Sequence, residues 1–285
     1  MDGQDKPPLG AMAAMGAAQY IDRMLLSHLT ATTTPRIHAE TKSQDWRRLW
    51  RMPGQCMLCH QWQWRSICQT CEQAFASSQT RCQRCALPLH GGQSHCLICE
   101  DYPPEFDRAV AAVDYTSPWR ELIASLKFKQ DTALATPLAG LLAQRIKAQS
   151  QRSRPQWIIP TPLSAERLRE RGFNQSWLLA QALSKQLGIP TLPHALRRVK
   201  ETPRMMTLQA DERRHHIRNA FEIAPEHRRA LAGRHVAVVD DVLTSGATLN
   251  EIALTLRPVG VRSISVWVVA RTPAPQTRAD ADHAD

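Results

Sequence analysis

At 285 residues, 43% of them hydrophobic, the chain carries enough apolar material for one or two cored domains, and no run approaches the roughly 18 apolar residues a membrane span requires. The formal charge of +10 is uneven: residues 151–229 hold 15 Lys and Arg against 7 Asp and Glu, a footprint for phosphate on a small molecule or on nucleic acid, although a solvated basic face has the same signature. All eight cysteines fall between Cys56 and Cys99, and acids rather than a basic segment precede the apolar patch at residues 9–18, so secretion and a disulfide framework are disfavoured and a cytoplasmic, metal-binding chain is expected.

Residues 1–50 are rich in Gly, Ala, Thr and Pro without a sustained period and are expected to be a flexible leader, with one short helix over residues 20–29. Residues 51–104 follow as a cysteine module of four C-x-x-C pairs: Cys56/Cys59, Cys68/Cys71, Cys82/Cys85 and Cys96/Cys99. The two-residue gap lets both thiolates of a knuckle face one ion while backbone N–H groups stabilise the sulfur charge, and two knuckles complete a tetrahedral site. Eight cysteines therefore fit two structural zinc ions, a double zinc ribbon with no open coordination position. Sequential pairing of the knuckles is the simpler expectation; a cross-braced arrangement, an iron–sulfur site and redox disulfides are the alternatives. His60, His90 and His95 are expected to be bystanders. For so small a module Trp62 and Trp64 are expected in its core, with stacking on nucleic-acid bases as the second use of such side chains.

From residue 105 to 272 apolar strands alternate with amphipathic helices. Strands are expected at FDRAVAAVDY, at WIIP (Trp157–Pro160), at residues 220–223, at 235–239 and at 263–270, and helices over 118–128, 133–146, 165–187 and 246–256. That alternation predicts an α/β fold, a parallel sheet covered on both faces. Residues 200–216 are charged and aperiodic, a long loop, and residues 273–285 are expected to be a disordered tail.

The segment VAVVDDVLTSGATL at residues 236–249 carries the most specific chemistry. An apolar strand delivers Asp240 and Asp241 to its carboxyl end, where ligands bind in open α/β sheets. Thr244, Ser245, Gly246, Ala247 and Thr248 then lead into a helix, and backbone N–H groups with hydroxyls at a helix start cradle a phosphate. Gly246 lets the backbone come close. Adjacent carboxylates accept hydrogen bonds from vicinal ribose hydroxyls and attract a divalent cation such as Mg²⁺. A second cluster starts at Pro160, Thr161 and Pro162, where a strand ends in a turn and a helix follows with Arg167 and Arg171 at i, i+4 on one face. Arginine pairs with phosphate oxygens in bidentate fashion.

The acidic pair followed by a TSGAT loop resembles the phosphoribosyl pyrophosphate signature of type I phosphoribosyltransferases. IPTPLSAERLRERGFNQ at residues 159–175, the LKFK stretch at 126–129, and Lys200, Glu201, Thr202, Gln209, Arg213, Asn219, Ala220 and Phe221 narrow the likeness to the ComF competence proteins and the related GntX-type DNA-utilisation proteins. An N-terminal cysteine module is part of the same pattern. The resemblance spans roughly residues 56–271 and departs from the pattern at Thr161, where an aliphatic residue is expected. It implies a type I phosphoribosyltransferase-like sheet, with Asp240 and Asp241 as the catalytic pair on the ribose hydroxyls, residues 244–248 on the 5′-phosphate, and Pro160, Thr161, Pro162, Arg167 and Arg171 on the pyrophosphate.

Three functions follow from these residues. The first is an enzyme that transfers a phosphoribosyl group from Mg²⁺–phosphoribosyl pyrophosphate to an acceptor the sequence does not identify. The second is a protein of DNA uptake or DNA use as nutrient that binds single-stranded DNA and DNA-uptake partners, its phosphoribosyl site serving to sense ligand. The third is a regulatory protein that binds a nucleotide monophosphate.

Overall fold

A computed structural model describes residues 53–89, 92–149, 154–200 and 217–274. The leader expected over residues 1–50 and the short helix expected at 20–29, the loop expected over 200–216 apart from Lys200, His90, and the tail beyond Ala274 lie outside the described residues. Among the described residues no helix is long and apolar enough to cross a membrane.

The cysteine module carries an antiparallel pair, β1 (Gly54–Gln55) and β2 (Trp62–Gln63), and two short helices, α1 (Gln69–Phe75) and α2 (Leu97–Asp101). It is followed by β3 (Arg108–Asp114), α3 (Trp119–Phe128), α4 (Ala135–Ala148), β4 (Trp157–Pro160), α5 (Ala165–Arg171) and α6 (Gln175–Leu187). The small strands β5 (Leu196–Arg198) and β6 (Phe221–Ile223) come next, then β7 (His235–Leu243), α7 (Ala247–Leu256) and β8 (Ser263–Arg271). Strands β3, β8, β7 and β4 form, in that spatial order, a four-stranded sheet with every neighbouring pair parallel.

The apolar runs become these strands because both faces of the sheet are covered, so consecutive Val, Ile and Ala residues are all buried. Val110, Ala112, Ala237, Val239, Trp267 and Val269 meet α3, α4 and α6 on one face. Ala109, Ala111, Val236, Val238, Val266 and Val268 meet α7 and the β5–β6 ribbon on the other. The parallel α/β sheet covered on both faces that the alternation predicts is the one observed.

Three local expectations differ. The spacing over residues 165–187 predicts one helix, and two form: Gly172 adopts φ 76° and stops α5 as a left-handed residue. Asn174 restarts the chain by accepting hydrogen bonds from Ser176 and Trp177 N–H at the head of α6. The strand expected at 235–239 continues to Leu243, because Val242 and Leu243 still pair with Ala270 and Arg271. Val239 and Val242 both join the helix-side core, so the in–out alternation slips by one residue across the two aspartates. Finally, Trp62 and Trp64 are not core: they are 70% and 63% exposed, and Cys56, Ile67 and Cys71 supply the module's buried side instead.

The module packs on the sheet and its helices through both halves. Cys56, Ile67, Cys71 and Ala76 belong to the same buried cluster as Trp119 and α4. Trp119 Nε1 donates to Phe75 O at 2.6 Å, and Arg145 donates to Ala76 O. In the second half Cys82, Leu87 and Cys99 form a small cluster of their own. Gln83 O accepts from Ala109 N at 3.1 Å along the outer side of β3, and Arg81 pairs with Asp114 at 2.8 Å.

Candidate functional site

Strand β7 carries Asp240 and Asp241 into the carboxyl end of the sheet, and the chain then turns through exposed Thr244 and Ser245 into Gly246. Gly246 has φ 81°, a left-handed conformation that would strain any side-chain-bearing residue, and it stands immediately before α7. Helix α7 begins without a close side-chain cap; the nearest contact is Ala247 N to Ser245 Oγ at 3.5 Å. Its first-turn amides are therefore available to an acceptor. Asp240, Thr244, Ser245, Gly246, Ala247 and Thr248 line a cavity of ≈ 70 Å³. At ~30 Å³ per water in the liquid, that is the scale of one phosphoryl group rather than of a nucleotide.

The acidic pair is built into its surroundings. Ser176 Oγ, in the first turn of α6, donates to Asp240 Oδ1 at 2.9 Å, and the Asp241 N–H donates to the same oxygen at 2.9 Å. Lys127, from the LKFK stretch on α3, places Nζ 2.9 Å from Asp241 Oδ2. That contact is an ion pair without hydrogen-bond alignment, so buried Asp241 Oδ2 still lacks a properly directed donor. Burial first, and the Asp241 charge second, push the Asp240 carboxyl up to about 6; Lys127 and the two donors oppose the shift without cancelling it.

The second cluster approaches from β4. Thr161 N donates to Val239 O at 2.9 Å, and Asn174 Nδ2 donates to Thr161 O at 3.0 Å, so the Pro160–Thr161–Pro162 turn is tied to both β7 and the head of α6. Thr161 Oγ1 is buried with no hydrogen-bond partner. Arg171 stacks 5.2 Å above the Phe128 ring and donates Nη1 to Gln175 Oε1 at 2.9 Å. Burial lowers its proton affinity, and the charges of Asp241 and Asp240 act in the opposite sense, which places Arg171 within electrostatic reach of the acidic pair. Arg167 is half-buried beside Arg171 and repels it. Arg169 turns its Nε back to Ala165 O at 3.3 Å, away from this cluster.

Lys127, Asn174 and Ser176 are site residues that the sequence does not single out. Lys127 and Asn174 stand inside motifs that carry the family resemblance and Ser176 directly follows one, yet a lysine on an amphipathic helix and small polar residues at a helix start look like ordinary surface and capping residues.

The cysteines come together as two groups in chain order, Cys56/Cys59/Cys68/Cys71 and Cys82/Cys85/Cys96/Cys99, with the four sulfur atoms of each group within 4.8 Å of one another. Cys59 and Cys68 Sγ are 3.7 Å apart, and Cys85 and Cys96 Sγ 3.6 Å. A tetrahedron with Zn–S bonds of about 2.3 Å has edges of about 3.8 Å, so donor type and spacing fit zinc in both groups. Backbone N–H groups point at sulfur: Cys68 N to Cys56 Sγ and Cys71 N to Cys68 Sγ at 3.3 Å, and Cys96 N to Cys82 Sγ at 3.4 Å. Burial raises the Cys56 thiol, but N–H donors from Cys59, Cys68 and Leu58 outweigh it and bring it to about 6. Burial and the neighbouring sulfurs push Cys71 up to about 12. Four such thiols ionise together only around a cation. His60 and His95 belong to neither group.

A model of the phosphoribosyl transferase domain matches residues 174–284, which takes in Asn174, Ser176, both aspartates and the loop after them. The DNA utilization protein YhgH of Escherichia coli O157:H7 is 35% identical over 228 residues, 78% of this chain and 98% of that one. Competence protein F of Haemophilus influenzae is 38% identical over 208 residues, 72% of this chain and 90% of that one. Competence protein ComFC of Bacillus subtilis is 29% identical over 119 residues, 40% of this chain and 44% of that one.

Proposed function

The chain belongs to the family of competence protein F and the YhgH DNA utilization proteins, with its phosphoribosyltransferase-type domain, and from that membership we propose that it is a cytoplasmic protein of DNA uptake or DNA use that binds Mg²⁺–phosphoribosyl pyrophosphate. The observation that carries the proposal is the end of β7: two neighbouring carboxylates, then a phosphate-sized cavity at the uncapped start of α7.

In this reading the amides of α7 and the hydroxyls of Thr244, Ser245 and Thr248 hold the 5′-phosphate. Asp240 and Asp241 accept hydrogen bonds from the two ribose hydroxyls, and Asp241 Oδ2 gains the aligned donor it lacks. Lys127 then faces a site that has taken up a cation or a hydroxyl, and its own pairing with Asp241 weakens. Arg171, with Arg167 beside it and the Pro160–Pro162 turn below, faces the pyrophosphate. Mg²⁺ carried with the ligand would supply charge neutralisation for the pyrophosphate. The carboxylates offset positive charge that develops on the ribosyl ring. The eight cysteines hold two structural zinc ions.

Calorimetric titration of Mg²⁺–phosphoribosyl pyrophosphate tests the assignment. Saturable binding is expected for the wild type, and affinity at least about a hundredfold weaker for Asp240→Asn/Asp241→Asn, since charged acceptors are lost while shape is kept. No binding to the wild type sinks the assignment.

The exposed tryptophans favour contact with single-stranded DNA as the second half of this function. Trp62 on β2 and Trp64 just beyond it are two residues apart and both exposed. Stacking on an aromatic side chain contributes about 1–3 kcal/mol per base. Anisotropy titration of a labelled oligothymidylate at two salt concentrations is therefore expected to show binding that weakens with salt, and a loss of about tenfold or more in Trp62→Ala/Trp64→Ala. Equal binding by the variant removes the tryptophans from the interface.

A further inference from the structure

The last residue of β8, Arg271, connects the second cysteine group to the phosphate loop. Its side chain is buried, with the residue only 9% exposed, and among the described residues each acceptor it uses is a backbone carbonyl. Nε donates to Cys85 O at 2.9 Å, inside the Cys82/Cys85 knuckle. Nη1 donates to Leu243 O at 2.8 Å, to Thr244 O at 2.5 Å and to Thr272 O at 2.9 Å. Leu243 and Thr244 are the residues through which β7 enters the loop Thr244, Ser245, Gly246, Ala247, Thr248.

A guanidinium buried without a carboxylate hydrogen-bond partner is costly, and carbonyl oxygens alone offset only part of that cost. The remaining compensation comes from the knuckle. Nε of Arg271 rests on the Cys85 carbonyl inside that knuckle, and four thiolates around one Zn²⁺ would retain a net negative charge. The position of the guanidinium, and with it that of the two carbonyls that open the loop, thus depends on the integrity of a metal group in another part of the chain. The first cysteine group has no corresponding link: it packs against α3 and α4 through Trp119 and Arg145.

We propose that Arg271 is a positioning residue that couples the Cys82/Cys85/Cys96/Cys99 zinc site to the phosphate loop, so that zinc at this site orders the loop and a ligand in the loop holds the zinc. The coupling is thermodynamically reciprocal. The identity of the ligand rests on the function proposed above; the coupling itself does not.

Hydrogen exchange of the full-length, zinc-loaded chain reads it without any ligand. The reporters are two protected amides at the loop, Asn250 N bonded to Gly246 O at 2.8 Å and Thr272 N bonded to Leu243 O at 3.0 Å. The amides of residues 236–239 in the same strand serve as reference. Cys96→Ser and Arg271→Gln are each expected to speed reporter exchange about tenfold while the reference is unchanged. The double variant is expected to exchange no faster than either single one, because both changes break the same link. Arg271→Lys, which keeps the charge but loses the fork, is expected to fall between wild type and Arg271→Gln, and it replaces the latter in the cycle if that variant does not fold. Additive effects in the double variant, or reporter exchange that Arg271 variants leave unchanged, overturn the proposal. A second arm follows zinc release to a chromogenic chelator with and without Mg²⁺–phosphoribosyl pyrophosphate. Slower release of one of two zinc ions in wild type, lost in Arg271→Gln, is the expected reciprocal effect. An exchange cycle that behaves as expected beside wild type that binds no phosphoribosyl pyrophosphate overturns the ligand and leaves the coupling standing.

Discussion

Cys56→Ser is expected to lower the thermal midpoint by roughly 8–16 °C, the equivalent of about 4 kcal/mol in a domain of this size. Cys56 is fully buried and shares one core with Ile67, Cys71, Trp119 and α4. Serine in its place removes a ligand from the first zinc site and leaves a hydroxyl in an apolar setting, and zinc binding in such a site is itself folding free energy. The consequence extends beyond the module, because α1 caps the helical layer: the Trp119 indole N–H would lose Phe75 O, and Arg145 would lose Ala76 O. Tryptophan fluorescence during heating, with Trp119 and Trp267 both buried, and the zinc content of the purified variant measure the effect. A midpoint within about 2 °C of wild type in a chain that has lost one zinc would show that the first site does not support the core. Cys96→Ser is expected to lower the midpoint less, since Cys82, Leu87 and Cys99 form a separate small cluster.

Asp240→Asn is expected to do two opposite things: weaken ligand binding and raise stability. The native carboxyl titrates at about 6 against 3.8 for an ordinary aspartate. The folded chain therefore holds this proton more tightly than the unfolded chain, and wild-type stability from this group rises as pH falls from about 7 toward 4. Above pH 7 the charged pair costs on the order of 2–3 kcal/mol, since each tenfold change in proton affinity is worth about 1.4 kcal/mol. Asparagine removes that cost, so the variant is expected to melt roughly 5 °C above wild type at pH 8, with the gap closing toward pH 5. Wild-type affinity for Mg²⁺–phosphoribosyl pyrophosphate is expected to fall as pH drops through about 6, where an unperturbed aspartate would preserve it to about 4. A melting gap that is constant between pH 5 and pH 8 would refute the assignment of the raised carboxyl to this site.

Much of this is legible in the chain alone. Apolar runs at 157–160, 235–239 and 263–270 are strands because a two-sided sheet needs them, and the C-x-x-C spacing brings thiols into groups of four. The acidic pair and TSGAT loop stand out because few local structures require two acids followed by small hydroxyl residues. What stays hidden depends on contacts between distant segments. Lys127 meets Asp241 only through the packing of α3 on the sheet, and Ser176 meets Asp240 only because Gly172 and Asn174 break one helical pattern into two. Strand β5 reads Leu-Arg-Arg and has no apolar alternation, so its pairing with β6 supplies the order that its sequence does not. For Trp62 and Trp64 size alone suggests burial, which is misleading, because the module's buried side chains, Cys56, Ile67 and Cys71, belong to the core it shares with α3 and α4.

The position of β3 at the end of the sheet has a practical consequence. Its outer side meets the cysteine module, with Ala109 N held by Gln83 O and Asp114 held by Arg81. Cutting the chain just before β3 to obtain a smaller protein would bare a run of Ala and Val with open backbone groups, a template for strand addition by a second molecule. The cysteine module thus covers part of the sheet edge that such a cut would expose.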